Sequence, residues 1–218
     1  MVHYTHHIPD PCEEEVLTKY VDDHILVVEK PSGLLTVPGR IVKDSVLRRV
    51  LTSYPEATIV HRLDLDTSGL LILSCSKEAT RELNRQFRER EIVKEYVATV
   101  FGVPNNSKGE ISLRIRPDPV NRPMQIIDQV GGKPCCTRYE VLSTGAGNSE
   151  LRLLPLTGRS HQLRIHLASV GHPILGCDLY AHEEARRLSN RLLLHAAKLK
   201  FRHPITQQAI TLSSQAPF

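Results

Sequence analysis

His61-Arg62-Leu63-Asp64-Leu65-Asp66-Thr67-Ser68-Gly69 is the stretch on which the reading of this chain turns. It lies between two apolar runs, Ala57-Thr58-Ile59-Val60 and Leu70-Leu71-Ile72-Leu73, which read as paired strands. Strands that open into a polar turn are a common mount for reactive side chains. A structural turn calls for Asp, Ser and Gly. It does not call for His-Arg directly before the first Asp, so the segment reads as functional.

On the N-terminal side, His24–Glu29 has strand composition, and Pro31-Ser32-Gly33 and Pro38-Gly39 mark turns. Asp44 is a fitting N-cap for a helix with Val46, Leu47, Val50 and Leu51 on one face. Residues 1–20 show little periodicity and are expected to form a loose or docked arm, with one domain over 21–218. His3, His6 and His7 in that arm would meet a metal only adventitiously.

On the C-terminal side, Ser76 is placed to cap a helix in which Ala79, Leu83 and Phe87 recur at i, i+4, i+8. Tyr96–Phe101 reads as a strand, and Gly109–Leu154 as short strands broken by Gly, Pro and Asn. Gly145-Ala146-Gly147-Asn148 reads as a hairpin loop leading into a strand over Leu151–Leu154. His161–Val170 is expected to be a helix stopped by Gly171, with Pro173 beyond. Further strands begin near Leu192 and Ile210. Strictly alternating βαβ units are absent, which argues against a doubly wound fold. The expected class is α+β, with a mixed, largely antiparallel sheet and flanking helices.

At 218 residues the chain can bury a substantial core. No segment has the apolar length of a membrane span, and the first residues lack a signal-peptide core. The five cysteines, Cys12, Cys75, Cys135, Cys136 and Cys177, are odd in number and contain no C-x-x-C. This favours a reducing cytoplasm over a disulfide framework or zinc site. The net charge of +4 hides a spread of arginines: Arg81, Arg85, Arg88 and Arg90 stud one helix, and others follow along the chain. Arginine suits phosphate, so nucleic acid is the expected partner. Glu82, Glu89 and Glu91 favour an ordinary solvated face for part of that helix.

Asp64 and Asp66 would point to opposite faces on a strand, so a cooperating pair needs a turn. Asp-Leu-Asp-Thr-Ser comes close to the D-x-D-x-[TV] loop of metal-dependent aspartyl-phosphate phosphatases. Ser68 breaks that pattern, and no later acidic pair completes a magnesium site. His61 offers a general base. His161 and His166 are five apart, which misses the i, i+4 metal spacing and leaves a packed or RNA-facing role. In Thr157–His166, Gly158 supplies a turn, Arg159 and Arg164 supply cations, and a helix start favours an anion. A surface salt bridge is the ordinary alternative for Arg164. Tyr96 is either a core residue or a platform for a base.

Taken together, these segments resemble the RluA-type pseudouridine synthases. The matching stretches are Val28–Leu34, His61–Leu70, Lys94-Glu95-Tyr96, Thr157–His166, Gly171–Gly176 and Leu192–Ala196, in family order. Asn121-Arg122-Pro123 followed by Gly132-Lys133-Pro134 is similar to the short subgroup that modifies 23S rRNA and a tRNA anticodon stem-loop. The resemblance implies the pseudouridine synthase fold with a central catalytic cleft over residues 21–218. It implies an isomerase that detaches uracil from C1′, rotates it and rejoins it through C5.

By that resemblance Asp64 is the catalytic aspartate, attacking C1′ or taking a proton from C2′. Arg62 fills the space left by the extruded base. Tyr96 stacks on the uracil and helps remove the C5 proton, and Arg164 pairs with Asp64, keeping it ionised and oriented. Leu193 is an apolar neighbour of these groups, while His61, Arg159 and His161 face RNA. No cofactor or metal is implied, nor any membrane, and a cytoplasmic monomer is expected. The short N-terminal arm leaves no room for the appended RNA-binding domain of longer relatives, which favours a compact stem-loop. A non-catalytic RNA-binding protein of the same fold is the alternative, against which Asp64, Tyr96 and Arg164 weigh.

Overall fold

The computed structural model describes residues 3–4 and 8–218, so His6 and His7 lie outside the described residues. The first strands are β1 (His3–Tyr4), β2 (Leu17–Val21) and β3 (Ile25–Lys30). Helix α1 (Val46–Val50) precedes β4 (Thr58–Ile59) and β5 (Ser68–Ser74), and α2 (Lys77–Glu89) leads into β6 (Val93–Phe101). Next come β7 (Lys108–Pro117), β8 (Asn121–Arg122), β9 (Gln125–Ile127), β10 (Lys133–Gly145) and β11 (Asn148–Pro155). Helices α3 (Gln162–Ser169) and α4 (Glu183–Arg187) are followed by β12 (Leu194–Arg202) and β13 (Ala209–Ser213).

The described residues form two compact units: Ile8–Glu95 with His195–Phe218, and residues 3–4 with Tyr96–Leu194. They are named here for Asp64 and Arg164.

In the Asp64 unit, β5 is the interior strand. β3 runs antiparallel along it from Ile25 opposite Ser74 to Lys30 opposite Gly69. β4 pairs with its end at Leu73 and Ser74, and β12 joins its start at Ser68 and Gly69 in parallel. With neighbours on both sides, every residue of β5 is buried, which is why Leu70–Leu73 reads as an unbroken apolar run. β2 and β13 flank the set on β3 and β12. Ile25, Val27, Leu70 and Ile72 pack with Ala79 and Leu83 of α2 and with Leu199 and Phe201. Each such burial contributes roughly 1.5–3 kcal/mol.

The α2 cap is as read from sequence: Ser76 Oγ accepts from the Ala79 N–H at 3.2 Å. The α1 cap is Ser45, accepting from Arg48 N–H at 3.2 Å, and not Asp44. Asp44 has a stronger partner in Arg49, whose Nε and Nη2 lie 2.9 and 2.6 Å from its carboxylate. Arg49 also donates to the carbonyls of Cys12 and Glu14 and so docks the arm.

In the Arg164 unit, β6, β11, β10, β7 and β9 are successive antiparallel neighbours. Ala98, Val100, Leu151 and Leu153 form its core with Leu163 and Leu167 of α3. β7 and β10 are long, ten and thirteen residues, where the sequence reading gives short strands. Pro134 does not interrupt β10 because there the strand has β7 as partner, opposite Arg114, while pairing with β11 begins only at Thr137. The hairpin loop falls at Ala146-Gly147, as expected, and α3 stops at Gly171 with φ +84°.

Candidate active site

The Asp64 loop is braced from below by the segment after β3. Lys30 is fully buried, and its Nζ donates to the carbonyls of Pro31, Leu34 and Leu65 at 2.8, 2.6 and 2.7 Å. Thr36 Oγ1 donates to the Leu63 carbonyl at 2.8 Å and accepts from the Leu63 N–H at 3.2 Å. Ser32 Oγ donates to the Asp66 carbonyl, and Gly33 N–H to that of Leu65. The loop closes on itself through Thr67 N–H to the Asp64 carbonyl at 3.2 Å. Backbone atoms on both sides of Asp64 are thereby held, while its side chain is left half-buried and Arg62 is exposed. This turn takes Asp64 and Asp66 out of the strand alternation.

His61 is a bracket and not the general base the sequence offers. Its Nε2 accepts from the Ile72 N–H at 3.0 Å, and its ring lies 4.7 Å from that of Phe87. Burial, with the nearby Lys94 charge, pushes it down to about 3, so it stays neutral. On α2, Arg85 is held by Glu82, Glu89 and Glu91, which takes it out of the set of cations offered to phosphate. This is the solvated-face reading of the helix.

In the Arg164 unit, β6 places Tyr96 opposite Leu153, half-buried against the core. Leu193 sits beside the same core, its N–H donating to Leu175 and its carbonyl accepting from Thr99, both at 3.1 Å. The turn before α3 is built by Gln162. Its Oε1 accepts from Thr157 Oγ1 and the Arg159 N–H, while its Nε2 donates to Cys136 and Thr137 on β10. This leaves Arg159 exposed and places His161 at φ +56°, ahead of the helix. His161 Nδ1 lies 2.7 Å from Tyr180 Oη, which also accepts from the Gln125 N–H.

Arg164 is 3% exposed. Its guanidinium ion-pairs with Asp178, lies 3.3 Å from Cys177 Sγ through two nitrogens, and stacks 5.5 Å from the Tyr180 ring centroid. A surface salt bridge is excluded by that burial. Asp64, the partner implied by the resemblance, belongs to the other unit. His166 resolves to the packed alternative: it is fully buried, both ring nitrogens lack hydrogen-bond partners, and burial pushes it down to about 4.

The structure thus gathers His61, Arg62 and Asp64 in one loop, and His161 and Arg164 around Tyr180. Lys30, Thr36, Gln162 and Tyr180 carry these sites without having been singled out in the sequence. A lysine ending an apolar strand run before Pro-Ser-Gly is the one signal that pointed to Lys30.

A family model described as RNA pseudouridylate synthase matches residues 24–169. The chain is 49% identical over 211 residues to the dual-specificity RNA pseudouridine synthase RluA of Escherichia coli strain K12, covering 95% of this chain and 96% of that one. Its counterpart in Pasteurella multocida is 49% identical over 202 residues, covering 91% and 92%. Among solved structures, a human protein described as RNA Pseudouridylate Synthase Domain Containing 1 matches with a TM-score of 0.80 at 28% identity, covering 97% of this chain and 87% of that one.

Proposed function

The chain belongs to the RNA pseudouridylate synthase family, and from that premise we propose that it isomerises one specific uridine in structured RNA, with Asp64 as the catalytic residue. The class of activity is that of an RNA pseudouridine synthase, an isomerase. The substrate we assign is a stem-loop of tRNA, of 23S rRNA or of both, as the dual specificity in the relatives' name invites. The observation that carries the reading is the bracing of the Asp64 loop. Lys30, Thr36 and Ser32 hold the backbone from Leu63 to Asp66 and leave the carboxylate at a half-buried position. A carboxylate fixed on a rigid mount is what attack at C1′ or proton removal at C2′ requires.

The other roles follow the family pattern. Exposed Arg62 takes the place of the extruded base, Tyr96 stacks on the uracil and helps remove the C5 proton, and Arg164 is the buried cation of the family pattern. Arg159 and His161 contact the RNA, and Leu193 contributes apolar surface. The catalytic domain spans residues 21–218, with residues 1–20 as its docked arm, and the enzyme acts as a cytoplasmic monomer without cofactor.

The test is Asp64→Asn, which keeps shape and removes charge. Binding of a uridine stem-loop is expected to persist while tritium release from C5-labelled uridine is lost. Appreciable turnover by this variant would remove Asp64 from the role.

A further inference from the structure

The far end of the Asp64 loop is tied into a buried chain of polar groups. Ser68 Oγ lies 2.9 Å from His195 Nδ1, and His195 Nε2 lies 2.9 Å from Ser214 Oγ. Ser68, His195 and Ser214 are 4%, 1% and 7% exposed. The Ser214 hydroxyl also hydrogen-bonds the Glu29 carboxylate, which pairs with Lys19 at 3.1 Å nearer the surface. The four residues of the chain come from β5, β12, the residue after β13, and β3, all within the Asp64 unit.

The direction of every bond is set from one end. A carboxylate only accepts, so the Ser214 hydroxyl donates to Glu29. Its oxygen then receives the Nε2–H of His195, which leaves Nδ1 as the acceptor for the Ser68 hydroxyl. In its neutral form His195 is then the Nε2–H tautomer. The backbone reinforces the tie. His195 is the register partner of Ser68, and Ala196 that of Gly69. Gly69 has φ +108°, and a Cβ there would fall 2.4 Å from the Ala196 carbonyl oxygen. Only glycine fits, so β12 closes directly onto the end of the loop.

We infer that His195 is a positioning residue for the reaction: its tautomer, set by Glu29 through Ser214, locks Ser68 and with it the end of the loop that carries Asp64. The inference rests on Asp64 being the catalytic residue. It deepens that reading by placing the control of loop geometry in a side chain that acts through Ser68.

Two readouts test it together: steady-state kinetics on a uridine stem-loop, and long-range proton–nitrogen NMR of histidine-labelled enzyme near neutral pH. The wild-type His195 is expected to show the Nε2–H tautomer. Ser214→Ala and Glu29→Gln are expected to scramble it and to lower kcat roughly 10- to 100-fold, with KM unchanged. Ser214→Thr, which keeps the hydroxyl, is expected to restore both the tautomer and kcat. Glu29→Gln lies near the surface and serves where Ser214→Ala fails to fold. An Nδ1–H tautomer or a doubly protonated ring in the wild type, or wild-type kcat in Glu29→Gln, would overturn the inference. Asp64→Asn is assayed alongside: turnover there would defeat the catalytic reading, while the tautomer measurement stands on its own.

Discussion

Lys30 Nζ stands 2.7 Å from the carbonyl oxygen of Leu65, the residue after Asp64, and shares its other protons with the carbonyls of Pro31 and Leu34. A fully buried ammonium is stable only where such acceptors surround it. Here the charge is used to hold two chain segments together. Lys30→Met keeps the length of the side chain and removes all three donors. It is expected to lower stability by about 3–5 kcal/mol, because the carbonyls stay buried without partners. Urea unfolding checks this, and a midpoint equal to that of the wild type would mean the lysine is not the brace.

Two histidines make stability sensitive to mild acid. Burial holds His166 at about 4, and burial together with Lys94 holds His61 at about 3. Both lie below the unfolded value of about 6.5. Below that value the unfolded chain binds protons that the folded chain refuses, so stability falls as pH falls; the full contribution is present above it. His166 alone should contribute a slope of about 1.4 kcal/mol per pH unit between about pH 5 and about pH 6. His166→Leu is expected to flatten the curve of unfolding free energy against pH by that amount. A curve parallel to the wild type would show that His166 takes up its proton as readily in the fold as in the unfolded chain.

Some of this organisation is written locally in the chain, and some is not. The cap at Ser76, the Ala79-Leu83-Phe87 face and the turn between β4 and β5 depend on residues within a few positions of one another, and the sequence displays them. The Leu17–Val21 strand is an edge on β3 with mostly exposed side chains, so no apolar alternation marks it. Long β7 and β10 are masked by Gly109 and Pro134, which matter only where a partner strand needs them. At the candidate site the reactive residue types stand out, but their supports do not. Lys30 and Leu65 are 35 positions apart, and Ser68 and His195 are 127 apart. Such pairings exist only once the sheet has formed. His61 misleads for the same reason: a base by composition, it is claimed by an N–H eleven residues away.

On the proposed function, Tyr96 divides its work between its ring and its hydroxyl. β6 holds it half-buried against the core, so substitution at its edge should leave the fold intact. Tyr96→Phe keeps the stacking face and is expected to bind RNA normally but turn over poorly. Tyr96→Ala also loses stacking, worth roughly 1–3 kcal/mol per base, and is expected to weaken binding as well. Binding isotherms and single-turnover rates for the two variants check this. Equal, near-wild-type values for both would make Tyr96 a core residue alone.

The substrate prediction follows from the geometry of the loop. Arg62 is exposed two residues from a half-buried Asp64, and on the proposed function a uridine meets that carboxylate after leaving its stack. Unstacking and unpairing cost a few kcal/mol in a duplex and least where pairing is already weak. A folded loop also presents its phosphates in fixed positions, which suits exposed cations on several segments, such as Arg62, Arg122 and Arg159. The expected order of modification rate is therefore a stem-loop with the uridine in or beside the loop, then an unstructured strand, then an unbroken duplex. Affinity for the stem-loop should fall steeply with added salt as phosphate contacts are screened. Equal rates on stem-loop and duplex would reject base extrusion as the entry step. Equal rates on stem-loop and unstructured strand would mean that the enzyme reads the base and its neighbours alone, without the fold of the RNA.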